Sequence, residues 1–120
     1  DNCLALDSHK LGEEEIKVIV NGKNQITELS KTCSIEKAIG ESIGIEKISH
    51  AYLLALHEEL EHMIIHEKLD NVFYELAFER LITRGQHFYP VDTSAYFSME
   101  LDTPEDFHDA INRIPKHLQA

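Results

Sequence analysis

The sequence is poor in basic residues and has no long apolar run. Its 120 residues carry 11 lysines and arginines against 22 aspartates and glutamates, which gives a net charge of −11 with histidine neutral. Nucleic-acid binders usually present a basic surface, so this balance argues against a nucleic-acid partner. No apolar stretch approaches the roughly 18 residues that a membrane span needs, which argues against a membrane partner. The length suits one domain with a single core.

Cysteines and targeting signals are also scarce. The two cysteines, Cys3 and Cys33, are far apart and form no Cys-x-x-Cys pair. A small secreted domain held together by disulfides normally contains more of them. No charged segment is followed by the apolar stretch of a signal peptide. Together these absences favour a cytoplasmic protein.

Several well-known catalytic patterns are missing. His57 and His62 are one position too far apart for the His-Glu-x-x-His pattern of zinc peptidases. No Gly-x-Ser-x-Gly nucleophile turn occurs, and neither does a glycine-rich loop of the kind that holds phosphates. We therefore expect another part of the protein to hold the phosphates of any bound nucleotide.

Hydrophobic periodicity predicts an α/β fold with a mixed sheet, a β-hairpin and three helices. Alternating or continuous apolar residues predict strands at residues 3–6, 16–20, 26–30, 42–45, 87–91 and 96–101. A 3.6-residue period and capping signals predict helices at residues 49–69, 70–84 and 103–115. Asn21-Gly22 is a strong hairpin-turn signal between the second and third strands.

Some positions carry more specific structural expectations. Gly40 and Gly44 mark places where another group approaches the backbone closely. Residues 11–15 are predicted to form a polar connection before the hairpin. The second helix is predicted to turn Val72 and Phe73 inward. Pro90 places its strand at a sheet edge or makes it a strand end.

Two acidic residues, Glu100 and Asp102, are predicted to project from one face of the strand at 96–101. A helix follows directly, so both carboxylates lie at an end of the sheet, where α/β folds bind ligands. Such carboxylates suit Mg²⁺, which takes one or two protein oxygens and completes its shell with water and phosphate oxygens. The simpler interpretation is that Asp102 and Asp106 only assist helix capping.

The segment at residues 100–107, Glu-Leu-Asp-Thr-Pro-Glu-Asp-Phe, resembles the closing signature of nucleotidyltransferases that act on sugar phosphates or phosphocholine. Three upstream segments resemble the same family in the same order: the hairpin that ends in Lys31, the strand that begins at Gly40, and the helix with Tyr74-Glu75. The subgroup most similar is that of phosphocholine cytidylyltransferase-like proteins. The family's glycine-rich loop and its mid-chain aspartate are not found. The resemblance thus implies that residues 1–120 are the C-terminal portion of a nucleotidyltransferase domain, without its N-terminal nucleotide-binding half.

The resemblance implies a partial Rossmann-like fold and an enzyme that transfers a nucleotidyl group, CMP from CTP, to a phosphorylated small molecule with release of pyrophosphate. Lys31 would stabilise the negative charge that develops near the reacting phosphates. Glu100 or Asp102 would complete the Mg²⁺ site, and the sequence does not decide between them. The 120-residue chain alone is expected to be inactive.

The resemblance also implies residues for the acceptor, which is phosphocholine or a sugar phosphate. Glu41 would contact its hydroxyl or ammonium groups. A quaternary ammonium would bind aromatic faces and a carboxylate, for which Tyr74, Tyr96 and Glu75 are available. The alternative role for these aromatic residues is core packing.

A second hypothesis belongs to a different class. The chain would be a non-catalytic acidic α/β module for binding or oligomerisation. An exposed sheet edge would then need a partner or a second copy to cover it, and a homo-oligomer is expected.

Overall fold

The computed structural model describes residues 1–8 and 15–119. Within them the chain forms a five-stranded mixed sheet and three α-helices, which confirms the expected α/β class. The strands are β1 (Cys3–Asp7), β2 (Lys17–Val20), β3 (Ile26–Ser30), β4 (Gly40–Lys47) and β5 (Tyr89–Asp92). The helices are α1 (His50–Glu61), α2 (Glu75–Thr83) and α3 (Pro104–Arg113), and α1 continues into a π-helical turn, His62–His66. The predicted connection at 11–15 lies mostly outside the described residues.

The strands are ordered β3-β2-β4-β1-β5. β1 and β5 are parallel, and the other neighbours are antiparallel. The predicted hairpin is confirmed as β2 and β3, and β4 occupies the centre of the sheet. β5, which contains Pro90, lies at an edge of the described sheet, as a residue without a backbone N–H requires.

Two glycines of β4 illustrate different uses of a missing side chain. A Cβ atom on Gly40 would lie 2.5 Å from the carbonyl oxygen of Asp7, so the predicted close approach is confirmed there. At Gly44 nothing lies within 4 Å, and the same prediction is wrong. Gly44 is needed for its backbone instead, because its φ of +81° is in the left-handed region that glycine adopts most easily.

One predicted strand is absent, and one predicted helix begins later than expected. Residues 96–101 do not form a strand: a turn closed by the Tyr96 backbone N–H and the Thr93 carbonyl (2.9 Å) follows β5, and no strand or helix comes before α3. Their apolar alternation adds no residue to the core, since Phe97 and Leu101 are exposed and Met99 is only half-buried. The helix predicted from 70 begins at Glu75, so Val72 and Phe73 precede it and are exposed rather than turned inward.

The start of α3 follows the sequence signals closely. The Thr103 side chain accepts a hydrogen bond from the Asp106 backbone N–H (3.0 Å), and the Asp106 carboxylate accepts one from the Thr103 N–H (3.1 Å). This reciprocal capping box, with Pro104 in the first turn, fixes where the helix begins. None of the helices in the described part of the chain is long and apolar enough to cross a bilayer.

The core lies where α1 and α2 pack on the sheet. Its apolar members are Leu4, Leu6, Val18, Ile26, Leu29, Tyr52, Leu56, Met63, Ala77, Phe78, Leu81 and Phe88. Tyr52 packs against the rings of Phe78 and Phe88, with centroid distances of 5.9 and 5.6 Å. It is only 1% exposed, and burial raises the pKa of its hydroxyl to about 12. No described residue forms a hydrogen bond with that hydroxyl.

We expect Tyr52→Phe to raise the free energy of unfolding by about 1 kcal/mol, because it removes a buried polar atom that lacks a protein partner. Urea unfolding measures the change. Tyr74→Phe is the matched control: the Tyr74 hydroxyl donates to Glu46 (2.9 Å), so its loss should not stabilise the fold. Equal or greater stabilisation by the control would contradict this reasoning.

Candidate functional site

A cleft of about 970 Å³ opens at one end of the sheet. Asp7 ends β1, Lys31 follows β3, and Glu41 lies near the start of β4, and all three line the cleft. The ladder places these positions together, because Asp7 pairs with Glu41 and Lys17 of β2 pairs with both Glu41 and Ser30. The segment that leads into α3 and the start of α2 complete the walls.

Five of the seven residues predicted from the sequence line this cleft. They are Lys31, Glu41, Glu75, Glu100 and Asp102. They come from four separate stretches of the chain. The fold therefore brings together residues that the sequence analysis singled out for one site.

The other two predicted residues lie elsewhere. The Tyr74 hydroxyl donates a hydrogen bond to a Glu46 carboxylate oxygen (2.9 Å), and burial raises the pKa of this tyrosine. Tyr96 is 77% exposed and is not among the cleft-lining residues. Aromatic contact within the cleft is available instead from Phe73, which the sequence analysis assigned to the helix interior.

The cleft is strongly acidic. Among the described lining residues the cationic side chains are Lys31 and Arg113, and the carboxylates are Asp7, Glu15, Glu41, Glu75, Glu100, Asp102 and Asp106. The pairing of Asp7 with Glu41 places two like charges opposite each other on neighbouring strands, which is unfavourable. Burial raises the pKa of Glu41, and the negative charges of Glu15, Asp7 and Glu100 raise it further. A bound cation would relieve this repulsion.

Glu75 is the most buried of these carboxylates. Its residue is 7% exposed, and its Oε2 atom finds no hydrogen-bond partner among the described residues. Burial raises the pKa of its carboxyl, while the charge of Lys31 acts in the opposite direction. A buried carboxylate oxygen without a partner is costly unless a ligand satisfies it.

Glu100 and Asp102 are close enough to interact directly. Burial raises the pKa of Glu100, and a hydrogen bond with the Asp102 carboxyl together with its charge raises it further. Two carboxylates that interact in this way can supply oxygen ligands to a hard cation. Asp106 takes part in the capping box, so the simpler interpretation as a helix-capping residue is confirmed for Asp106.

The donor chemistry fits Mg²⁺. Two carboxylates match the one or two protein oxygens that this ion takes when phosphate and water fill the rest of its shell. No group of three or more Asp, Glu, His or Cys side chains within residues 1–8 and 15–119 is arranged to hold a metal ion alone. Any such site is therefore completed by groups other than the described side chains.

Lys31 approaches Phe73, the one aromatic ring among the described residues that line the cleft. Its Nζ atom lies 4.3 Å from the centroid of Phe73, which is 56% exposed, in cation–π geometry. Sequence reasoning missed Phe73, Asp7 and Glu15. The position of Phe73 beside Tyr74-Glu75 was a usable signal. Asp7 reaches the cleft through its pairing with Glu41, which no local pattern reveals, and Glu15 precedes β2.

Comparison of the chain with models of known protein families gave no match, and neither did comparison with curated protein sequences.

Proposed function

We propose that the chain is the C-terminal portion of a Rossmann-like nucleotidyltransferase domain and that its cleft binds the phosphorylated acceptor. In the proposed reaction an oxygen of the acceptor phosphate attacks the α-phosphorus of a nucleoside triphosphate. A new oxygen–phosphorus bond forms, the bond to the β-phosphate breaks, and pyrophosphate leaves. CTP is the nucleotide that we propose.

One observation carries the proposal: five residues that the sequence analysis assigned to one site, from four stretches of the chain, line the same cleft. Residues chosen at random from four stretches of the chain would rarely meet. The resemblance of residues 100–107 to the family signature supplies the reaction type, and the shared cleft supports it.

The roles follow from the charges. Lys31 lines the cleft, and we assign it to stabilising the negative charge that develops on the phosphates in the transition state. Glu100 and Asp102 would hold Mg²⁺, which when bound neutralises charge on phosphate oxygens. Catalysis would come mainly from positioning and charge neutralisation, because phosphoryl and nucleotidyl transfer require little covalent chemistry from the protein.

The acceptor is proposed to carry a positive charge, as phosphocholine does. The excess of carboxylates among the described lining residues would repel an anionic sugar phosphate more than phosphocholine, whose quaternary ammonium offsets part of the phosphate charge. The buried Glu75 carboxylate and the Phe73 ring are suitable neighbours for a quaternary ammonium. Glu41 is a second carboxylate within the same cleft.

The test is Mg²⁺-dependent release of pyrophosphate by the complete gene product that contains this chain. With CTP, we expect kcat/KM to be about 10- to 100-fold higher for phosphocholine than for 3,3-dimethylbutyl phosphate, in which carbon replaces the charged nitrogen. The Glu75→Gln variant should reduce that ratio, because it removes the buried charge but retains the shape.

Three results would contradict the proposal or a part of it. The first is the absence of Mg²⁺-dependent pyrophosphate release with any nucleoside triphosphate and either acceptor. The second is equal use of phosphocholine and 3,3-dimethylbutyl phosphate, which would contradict the cationic-acceptor part alone. Turnover by the 120-residue chain without the rest of the gene product would show that the domain portion is wrongly assigned.

The alternative function is a non-catalytic acidic module that forms homo-oligomers. The observation in its favour is α3, which buries only Ala110 while Phe107 and Ile111 are exposed. Under this alternative, sedimentation of the chain gives an oligomer, and Ile111→Glu returns it to a monomer. If the chain is monomeric and the complete enzyme is active, the results support the nucleotidyltransferase and contradict the non-catalytic module.

A further inference from the structure

Lys17 is a lysine in the interior of the fold. It is 2% exposed and lies in β2, between β3 and β4. Burying an ammonium group is unfavourable unless it is paired and hydrogen-bonded. An aliphatic residue is the usual choice at such a strand position, so the presence of a charge there needs a physical explanation.

The hydrogen bonds of Lys17 provide that explanation. Its Nζ atom donates to the backbone carbonyl of Lys31 (2.6 Å) and to that of Glu15 (3.4 Å). Both acceptors belong to residues whose side chains line the cleft. The buried ammonium thus joins two points of the backbone at the cleft floor.

The position of Lys31 in the sheet makes this bond important. Lys17 pairs with Ser30 in the ladder between β2 and β3, and β3 ends at Ser30. Lys31 is therefore the first residue beyond the ladder. The bond from the Lys17 side chain holds the Lys31 backbone just where regular strand pairing stops holding it.

We propose that Lys17 is the positioning residue for Lys31. It fixes the carbonyl of Lys31, and this orients the Lys31 side chain so that its ammonium stays 4.3 Å from the Phe73 ring centroid at the cleft. The catalytic significance of this arrangement rests on the role that we propose for Lys31. The positioning of Lys31 by Lys17 does not depend on that role.

Nuclear magnetic resonance of ¹³C,¹⁵N-lysine-labelled protein tests the proposal without substrate. The Phe73 ring should shift the Lys31 Hε signals upfield by ring current, and Phe73→Leu defines the value without the ring. In Lys17→Met, which retains the chain length but loses the donor, we expect most of that upfield displacement to disappear. Lys23→Met, at an exposed turn position, is the matched control and should leave it unchanged.

A folded Lys17→Met protein in which Lys31 retains its full displacement would overturn the proposal. If Lys17→Met does not fold, two measurements on the wild-type protein test the proposal instead. We expect slow hydrogen exchange of the Lys17 ammonium and a scalar coupling from its ¹⁵Nζ to the carbonyl carbon of Lys31. Exchange as fast as that of Lys23, without the coupling, would overturn it too. Because no activity is measured, failure of the proposed enzyme function leaves this result interpretable.

Discussion

Gly40→Ala is expected to lower the free energy of unfolding by about 3 kcal/mol, which is at the upper end for overpacking by one methyl group. The added Cβ atom would lie 2.5 Å from the Asp7 carbonyl oxygen and 2.9 Å from Leu6 Cγ. The first of these is a backbone atom of the neighbouring strand, so it cannot move aside as the end of a flexible side chain would. Relief requires β1 and β4 to separate, and urea unfolding measures the cost.

Gly22→Ala is the matched control. Nothing lies within 4 Å of the Cβ position there, and Gly22 is not among the residues with positive φ. We expect the control to stay within about 0.5 kcal/mol of the wild type. A loss of stability at Gly40 no larger than at Gly22 would contradict the close approach of the two strands.

The consequence of Gly40→Ala should extend to the cleft. Glu41 follows Gly40 directly, and it pairs with Asp7, the residue whose carbonyl the new methyl group would meet. A glycine is therefore needed so that these two carboxylates can approach one another. The packing of β1 against β4 and the pairing of Asp7 with Glu41 in the cleft therefore both depend on the contact between Gly40 and the Asp7 carbonyl.

The sequence predicted most elements because their signals are local. Asn21-Gly22 specified the hairpin turn, and the Thr103 capping box specified the start of α3. Gly40 predicted a close approach to the backbone, and the structure confirms it at the Asp7 carbonyl. In the first two cases the deciding interaction joins residues that are near in sequence. In the third case the glycine itself is the signal, because few strand positions require a glycine.

The prediction failed where apolar residues with a regular spacing are not packed into the core. The apolar alternation in residues 96–101 is typical of a strand, yet those residues follow a turn and form no ladder. Val72 and Phe73 fit a helical period, but α2 begins only at Glu75. Phe73 therefore precedes the helix and lines the cleft, where its ring contacts the Lys31 ammonium.

The candidate site was predictable in part for a related reason. Glu100 and Asp102 lie in a segment with a recognisable signature, whereas Glu15 and Lys17 lie at a strand start that looks ordinary in sequence. The burial of Lys17 and its bond to the Lys31 carbonyl arise from strand order, and no pattern within one strand specifies strand order.

Lys31→Met is expected to have the largest effect on catalysis. If Lys31 stabilises charge that develops in the transition state, its removal should lower kcat for pyrophosphate release by about 100- to 1,000-fold in the complete enzyme. The KM for the acceptor should change much less, because the interaction strengthens as the reaction proceeds and contributes little to ground-state binding. Methionine retains the length and apolar character of the stem, so contact with Phe73 is preserved while the charge is lost.

Lys23→Met removes one positive charge from an exposed turn and so controls for the change in net charge. We expect it to leave both kcat and KM unchanged. A Lys31→Met enzyme with a raised KM and an unaltered kcat would assign Lys31 to substrate binding alone. A Lys31→Met enzyme that behaves like Lys23→Met would remove Lys31 from the site, because loss of its charge would then affect neither kcat nor KM.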